Sequence, residues 1–373
     1  MIDRRLSPNL AEIAALFLKL GLIAFGGPAA HVALMRREVV ERRHWLEEPA
    51  FFDYFAACQL IPGPTSTELA ILLGYKRAGT AGLVVAGGLF ILPAMLIMLG
   101  LAWAYARVAS SPVVAGALHG IRPVVVGIIA WALIDLGRRI LRGPWPVLTG
   151  LGVLLAALLG WNPVLLLIVG GLLLMLRASA ASIPTGRGAI GWLAASTGLG
   201  STTLVAIFLA FLKFGAVSFG SGYVLLAFLH SDVVQTSHWL SERQLIDAIA
   251  ISQATPGPVF TVATFIGFLV AGVAGAVVAT VGIFLPGFVL VPFLDRIVRL
   301  VHQRKWARTF LDGVNVAALG LIAAVAIQLA RTSFVDPLTI VIALVSLAIL
   351  LRLPLASPAL VLGGGVIGVI AMH

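Results

Sequence analysis

Long apolar runs separated by short polar gaps make up most of this chain. In the first half they fall near residues 9–34, 50–74, 79–106, 112–137, 145–160 and 163–176. In the second they fall near 202–229, 244–270, 272–293, 309–330, 335–351 and 355–372. A helix needs about 20 apolar residues to cross the hydrocarbon core of a bilayer, so most runs predict spanning helices. The two at 145–160 and 163–176 are short for that. The pattern predicts roughly ten to twelve crossings over the two halves.

The polar positions repeat. "FLKLGLIAFGG" at 17–27 matches "FLKFGAVSFGS" at 211–221, "HWLEE" at 44–48 matches "HWLSE" at 238–242, and "PGP" at 62–64 matches "PGP" at 256–258, each at an offset of 194. Ungapped, 19 of the 48 positions from 17 to 64 are identical. Further on the register slips by one, so that "LHGIRPVVVG" at 118–127 faces "LDGVNVAALG" at 311–320. Similarity between apolar helices alone would not place His-Trp, Asp, Gln and Pro-Gly-Pro at one spacing. The chain is an internal duplication, with repeats expected at 1–190 and 191–373.

Charge in the gaps orients the halves. In the first, Lys76 and Arg77 follow the second run, and Arg138, Arg139 and Arg142 follow the fourth. In the second, the cluster of Arg296, Arg299, Arg304, Lys305 and Arg308 follows the third run instead. The positive bias has moved to the opposite side of equivalent helices, which predicts inversion of one half relative to the other. Inversion requires an odd number of crossings per repeat, so one run should re-enter, and the Pro-Gly-Pro run is the natural candidate. The expected fold is an all-α polytopic membrane protein. Its two homologous inverted-topology repeats carry broken or re-entrant helices at Pro-Gly-Pro.

Proline removes a backbone donor and obstructs the preceding turn, and glycine frees the backbone between two prolines. Pro62, Gly63 and Pro64 should end one half-helix and start another, whose free N–H groups and dipole suit an oxyanion. Thr65, Ser66 and Thr67 follow with hydroxyls. The second copy, Pro256, Gly257 and Pro258, is followed by Val259 and Phe260, so the first copy should contribute more side-chain donors. Lys19 and Lys213 lie inside apolar runs, where an ammonium is costly. Each precedes a glycine-bearing break, at Gly26 and Gly27 in one copy and at Gly220 and Ser221 in the other. They are candidate counter-charges for an anion. Asp53 and Asp247 suit either first-turn capping or proton coupling. Glu68, Gln59, Gln253 and Arg122 are further candidates for coupling, gating or anion contact.

Composition sharpens this picture. The chain has 373 residues, 60% hydrophobic and 11% charged, against about a quarter charged in soluble domains. The net charge of +10 follows the inter-run gaps, which argues for topology rather than nucleic-acid binding. One cysteine, Cys58, permits no intrachain disulfide, and no cofactor or metal site is expected. A channel would favour continuous rings of charge. A membrane-embedded enzyme would need a nucleophile–base pair or a redox group. The residues alone support a carrier of an anion.

The segment "FLKLGLIAFGGPAAHVALMRREVVERRHWLEE" at 17–48, followed by "QLIPGPTSTEL" at 59–69, resembles the chromate ion transporter family, and the second copy resembles the same domain. The resemblance covers essentially the whole chain and is similar to the family's long, two-domain members. It implies a multi-pass carrier of the bacterial inner membrane that exports chromate and confers resistance. It also implies oppositely oriented halves, dependence on an ion gradient or membrane potential, and sulfate as an analogue. Gly26, Gly27, Pro62, Gly63, Pro64, Gly220, Pro256, Gly257 and Pro258 carry the family motif, and Ser221 departs from it. The expected partners are chromate or sulfate and the lipid bilayer, with a homodimer compatible.

Overall fold

The computed structural model describes residues 10–25, 27–179, 203–219, 222–353 and 357–371, and its regular elements are all helical. The expected repeat boundary near 190 lies outside the described residues.

Helix α1 (Leu10–Ile23) runs inward to a break at Ala24 and Phe25. Helix α2 (Gly27–Arg36), continued by a π-helical turn over Arg37–Arg42, brings the chain back. The return is fixed by contacts between the two limbs. Lys19 Nζ lies 2.7 Å from Glu38 Oε1, and the Trp45 indole N–H donates to Glu12 at 3.3 Å. The run at 9–34, expected as one element, is therefore a helix–break–helix hairpin. The first helix ends at Ala24 and Phe25, and the second begins at Gly27.

Helix α3 (Glu48–Cys58) enters a second time, Pro62–Pro64 turns the chain, and the first arm of α4 (Thr65–Val108) returns. Lys76 then lies over the Tyr54 ring and Arg77 over Trp45, so entry and exit sit together. Helix α4 is itself folded back. Ala78 (φ −141°, ψ 26°) and Gly79 (φ 59°, ψ −144°) leave helical geometry, and Gly74 packs against Gly82. A straight helix would separate those glycines by about 12 Å. The positive φ explains glycine at position 79. From there the long arm runs on to Val108, joined by α5 (Pro112–Ile140), α6 (Pro144–Leu158) and α7 (Pro163–Ser179).

The second repeat follows the same plan. It comprises α8 (Leu204–Val217), α9 (Val224–Phe228) with a π-helical turn over Leu229–Thr236, α10 (Glu242–Ala254) and α11 (Val262–Leu290). These lead on to α12 (Leu294–Gln303), α13 (Lys305–Ser333), α14 (Pro337–Arg352) and α15 (Ser357–Ala371). Helix α11 turns at Ala271 and Gly272 with nearly the same angles as α4, and Thr264 and Thr280 hydrogen-bond across the fold at 2.7 Å. The one-residue register slip lies between Pro-Gly-Pro and this turn. In the second copy Val259–Thr261 is a 3₁₀ turn. Three 3₁₀ residues rise about 6 Å where three α-helical residues rise about 4.5 Å, which makes up the missing residue.

The repeats are interlocked head to tail. Lys76, at the α4 turn, pairs with Asp295 beyond the end of α11 at 2.7 Å, while Tyr105, near the end of α4, packs on Phe265, close to the α11 turn. The long arms thus run antiparallel. Gly120 and Gly127 of α5 pack against Gly364 and Ala343 of α15 and α14. Their counterparts Gly313 and Gly320 of α13 pack against Gly170 and Gly150 of α7 and α6. Small residues allow this close backbone approach between apolar helices. Among the described residues four helices are long and apolar enough to cross a membrane: Thr65–Val108, Pro112–Ile140, Val259–Val301 and Lys305–Ser333. The α6, α7, α14 and α15 helices have 15 to 17 residues.

A Cβ at Gly74 would meet the Gly82 carbonyl, whereas Gly88 has no heavy atom within 4 Å of its Cβ position. Gly74→Val should therefore destabilise the detergent-solubilised protein by roughly 1–3 kcal/mol. Gly88→Ala should leave thermal unfolding within about 0.5 kcal/mol of wild type.

Candidate functional site

The four re-entrant tips meet. The Gly63 N–H donates to the Ser218 carbonyl at 2.8 Å, and the Gly257 N–H donates to the Ala24 carbonyl at 2.9 Å. Ala24 and Ser218 are equivalent positions, as are Gly63 and Gly257, so each repeat's Pro-Gly-Pro is tied to the other repeat's first break. Backbone groups exposed by broken helices at membrane depth must be satisfied within the protein, and here the duplication satisfies them reciprocally. Both glycines have positive φ, 133° and 96°. A side chain on Gly257 would strike Ala94, and one on Gly63 would strike the Glu68 carboxyl.

Polar atoms collect around this crossing. Pro64 caps the α4 N-terminus with no side-chain acceptor. His31, fully buried, shares the Ala24 carbonyl through Nε2 at 3.0 Å, which leaves Nδ1 of the neutral ring to accept from the Ser66 hydroxyl at 3.2 Å. The Thr67 and Ser218 hydroxyls and both Glu68 carboxyl oxygens are buried without a protein hydrogen-bond partner. In the second copy the hydroxyls are already used: Thr255 donates to Ile251 at 2.8 Å, and Thr261 to Pro258 at 2.7 Å.

The lysines lie elsewhere in the hairpins. Lys19 pairs with Glu38, which also holds Arg42 at 2.9 Å and Arg43. Lys213 pairs with Asp232. The two acids are equivalent, and each pair clamps a first helix to its returning π-helical turn. His44 and His238, with φ of 50° and 51°, turn the chain out of these clamps. Gly27 begins α2, while Gly26, Gly220 and Ser221 lie outside the described residues.

Arg122 grips Asp247 with two hydrogen bonds, Nε to Oδ1 at 2.8 Å and Nη2 to Oδ2 at 3.0 Å, and Tyr105 donates to Oδ2 at 2.8 Å. Gln253 lies on the same helix, with its side-chain Nε2 buried and without a hydrogen-bond partner. Their first-repeat counterparts, Asp53 and Gln59, are exposed. The crossing thus gathers Pro62–Thr67, Glu68 and Pro256–Pro258, and Arg122 and Asp247 form a separate ion pair. Sequence reading missed Ser218, His31, Tyr105, Glu38 and Asp232. The last two carried a readable signal, an acid at matched positions in both copies.

The duplicated architecture and its motif-bearing tips are those of a described domain. The model of that domain, chromate transporter, matches residues 11–175 and again 205–369. The chain belongs to the chromate transporter family. It is 35% identical to the chromate transport protein of Cupriavidus metallidurans, over 97% of this chain and 93% of that protein. It is 33% identical to a probable chromate transport protein of Synechococcus elongatus, over 97% and 95%. An uncharacterized transporter of Bacillus subtilis, 31% identical, aligns with 42% of this chain and 82% of its own length, about one repeat. No solved structure matches. Membership makes the protein a membrane transporter rather than an enzyme.

Asp247 is 1% exposed and its counterpart Asp53 is open to the surface. Breaking one side of a buried pair costs about 3–5 kcal/mol. Asp247→Ala should lower the unfolding free energy by about 3 kcal/mol, while Asp53→Ala should stay within about 0.5 kcal/mol. Thermal denaturation of both variants checks this.

Proposed function

We propose that the protein is a secondary carrier that exports chromate across the bacterial inner membrane by alternating access and so confers chromate resistance. The observation that carries this reading is the crossing of four re-entrant tips from antiparallel repeats. Such crossings near mid-membrane suit a substrate that must be reached from either side. The tetrahedral dianion is taken to lie against the α4 N-terminus, with the Thr67 and Ser218 hydroxyls as donors. Lys19 and Lys213 hold the hairpins in shape through Glu38 and Asp232 rather than touching the anion.

Direction is supported by charge. Lys76, Arg77, Arg139, Arg142 and Arg177 gather at the end of the molecule where the α4 turn lies, and this end is taken as cytoplasmic. A cavity of about 700 Å3 opens there between α5, α6, α7 and α13. Chromate entering from the cytoplasm would meet arginines first.

Glu68 is the proposed coupling group. A charged carboxylate beside a dianion is repelled, and a protonated one can donate a hydrogen bond, so anion and proton occupancy favour each other. One net negative charge would leave per cycle. Interior-negative potential then drives export, worth about 2.3 kcal/mol per charge per 100 mV, or roughly 50-fold accumulation.

Radiolabelled chromate uptake into inside-out vesicles tests the reading. Lumen-positive potential should raise accumulation, and Glu68→Gln should keep the response to potential but lose the response to a pH gradient. Preferential uptake of sulfate would shift the substrate to that dianion. Absence of uptake of either by inserted protein would refute the carrier reading.

A further inference from the structure

The repeats are equivalent in construction but not in docking. Helix α10 packs into the bundle of α5, α13 and α15, and its face of Ile246, Asp247, Ala250 and Gln253 is buried there. Helix α3 has the same spacing of residues, Phe52, Asp53, Ala56 and Gln59, yet packs mainly on α4 and α12. Ile246 is 0% exposed and its counterpart Phe52 is 48% exposed. The equivalent positions therefore differ in being covered by the bundle in one repeat and open in the other.

The place where α3 would lie, if it copied α10, can be read residue by residue. Arg122, which holds Asp247, corresponds to Asn315 on α13. Thr332, which donates to Glu242 at the start of α10, corresponds to Arg139 on α5, and Glu242 corresponds to Glu48. Both Asn315 and Arg139 line the 700 Å3 cavity, with Arg142, Arg177, Thr309 and Asp312. The cavity is therefore the counterpart of the α10 berth. The second repeat's Glu242–Thr332 contact becomes Glu48, now paired with Arg36, against Arg139, now paired with Asp135, so the two carry opposite charge and exchange partners.

We propose that this cavity is the receptor for α3, and that the protein alternates between the present arrangement and its repeat-exchanged counterpart. In that second arrangement α3 fills the cavity, Glu48 meets Arg139 and Asp53 meets Asn315, while α10 leaves its berth and exposes Ile246. The proposal rests on the carrier reading above and names the surfaces that exchange. Helices α3 and α10 are the two gates, and the crossing between them faces one side at a time. The gates differ in strength. Asp247 has Arg122 and Tyr105 as partners, whereas Asp53 would meet Asn315 and, in place of Tyr105, Val298. The present arrangement is thus the favoured resting state without substrate.

Cys58 is the chain's single cysteine, so Cys58→Ser gives a clean background for crosslinking in membranes. The pair Glu242→Cys with Thr332→Cys should crosslink readily in the resting protein. The pair Glu48→Cys with Arg139→Cys should crosslink more slowly, and its formation should raise the maleimide labelling rate of an added Ile246→Cys at least 10-fold. If the first pair crosslinks and the second never does under any gradient or chromate concentration, the exchange is wrong. Single substitutions guard against misfolding of the pair. Phe52→Cys should react from one side of the membrane and Ile246→Cys from the other, both at measurable rates. An Ile246→Cys that never reacts would overturn the proposal. None of these readouts uses flux, so crosslinking of both pairs without chromate transport would retain the exchange and refute the substrate reading alone.

Discussion

A backbone that breaks inside an apolar slab leaves N–H and C=O groups with no water to turn to. In this chain that constraint is met by two crossed hydrogen bonds, Gly63 to Ser218 and Gly257 to Ala24. Each repeat alone would carry an unsatisfied tip, and the pair closes both. The Gly63 and Gly257 amides of the irregular tips are thereby paired, while the Thr67, Ser218 and Glu68 side chains stay buried without a protein partner. Glycine is required at both positions for the same reason: φ is positive, and a Cβ would collide with the opposing wall or with Glu68.

The interlock reaches beyond the tips. The α6–α7 hairpin clasps α13 of the other repeat, and the α14–α15 hairpin clasps α5, through paired glycines. A simple rocking of one repeat against the other would have to tear these contacts. What remains free to move is smaller. The α3 and α10 helices carry similar faces, yet one is docked and one is not. The Asp247 ion pair accounts for which of the two is docked, and the proposed exchange takes this asymmetry as its starting point.

Much of this was legible in the sequence because it is written as repetition. The offset of 194 identified equivalent residues, and the displaced arginine clusters anticipated the antiparallel arrangement of the long arms. The break at Pro-Gly-Pro followed from the chemistry of two prolines. The turn within the 9–34 run was harder to see, since a proline, Pro28, follows the Phe-Gly break in the first copy only and mostly apolar residues flank it. Charge in an apolar run demands a partner, which in the sequence makes the lysines candidate counter-charges for an anion. Their partners, Glu38 and Asp232, sit 19 residues away on the returning limb, and only the hairpin brings them close. Ser218 and His31 could not be singled out, because nothing local marks a residue that meets a tip from the other repeat.

Equilibrium binding of radiolabelled chromate to purified protein tests most directly the proposal that the crossed tips hold the anion. Thr67 has a buried hydroxyl without a protein partner, whereas Thr261 already donates to the Pro258 carbonyl. Loss of a hydrogen bond to a charged ligand is worth about 1.5 kcal/mol or more. Thr67→Val should weaken binding about 10-fold, with Thr261→Val within about 2-fold of wild type. Unchanged affinity in Thr67→Val, with the protein folded, would contradict the assignment and place the anion away from the crossing.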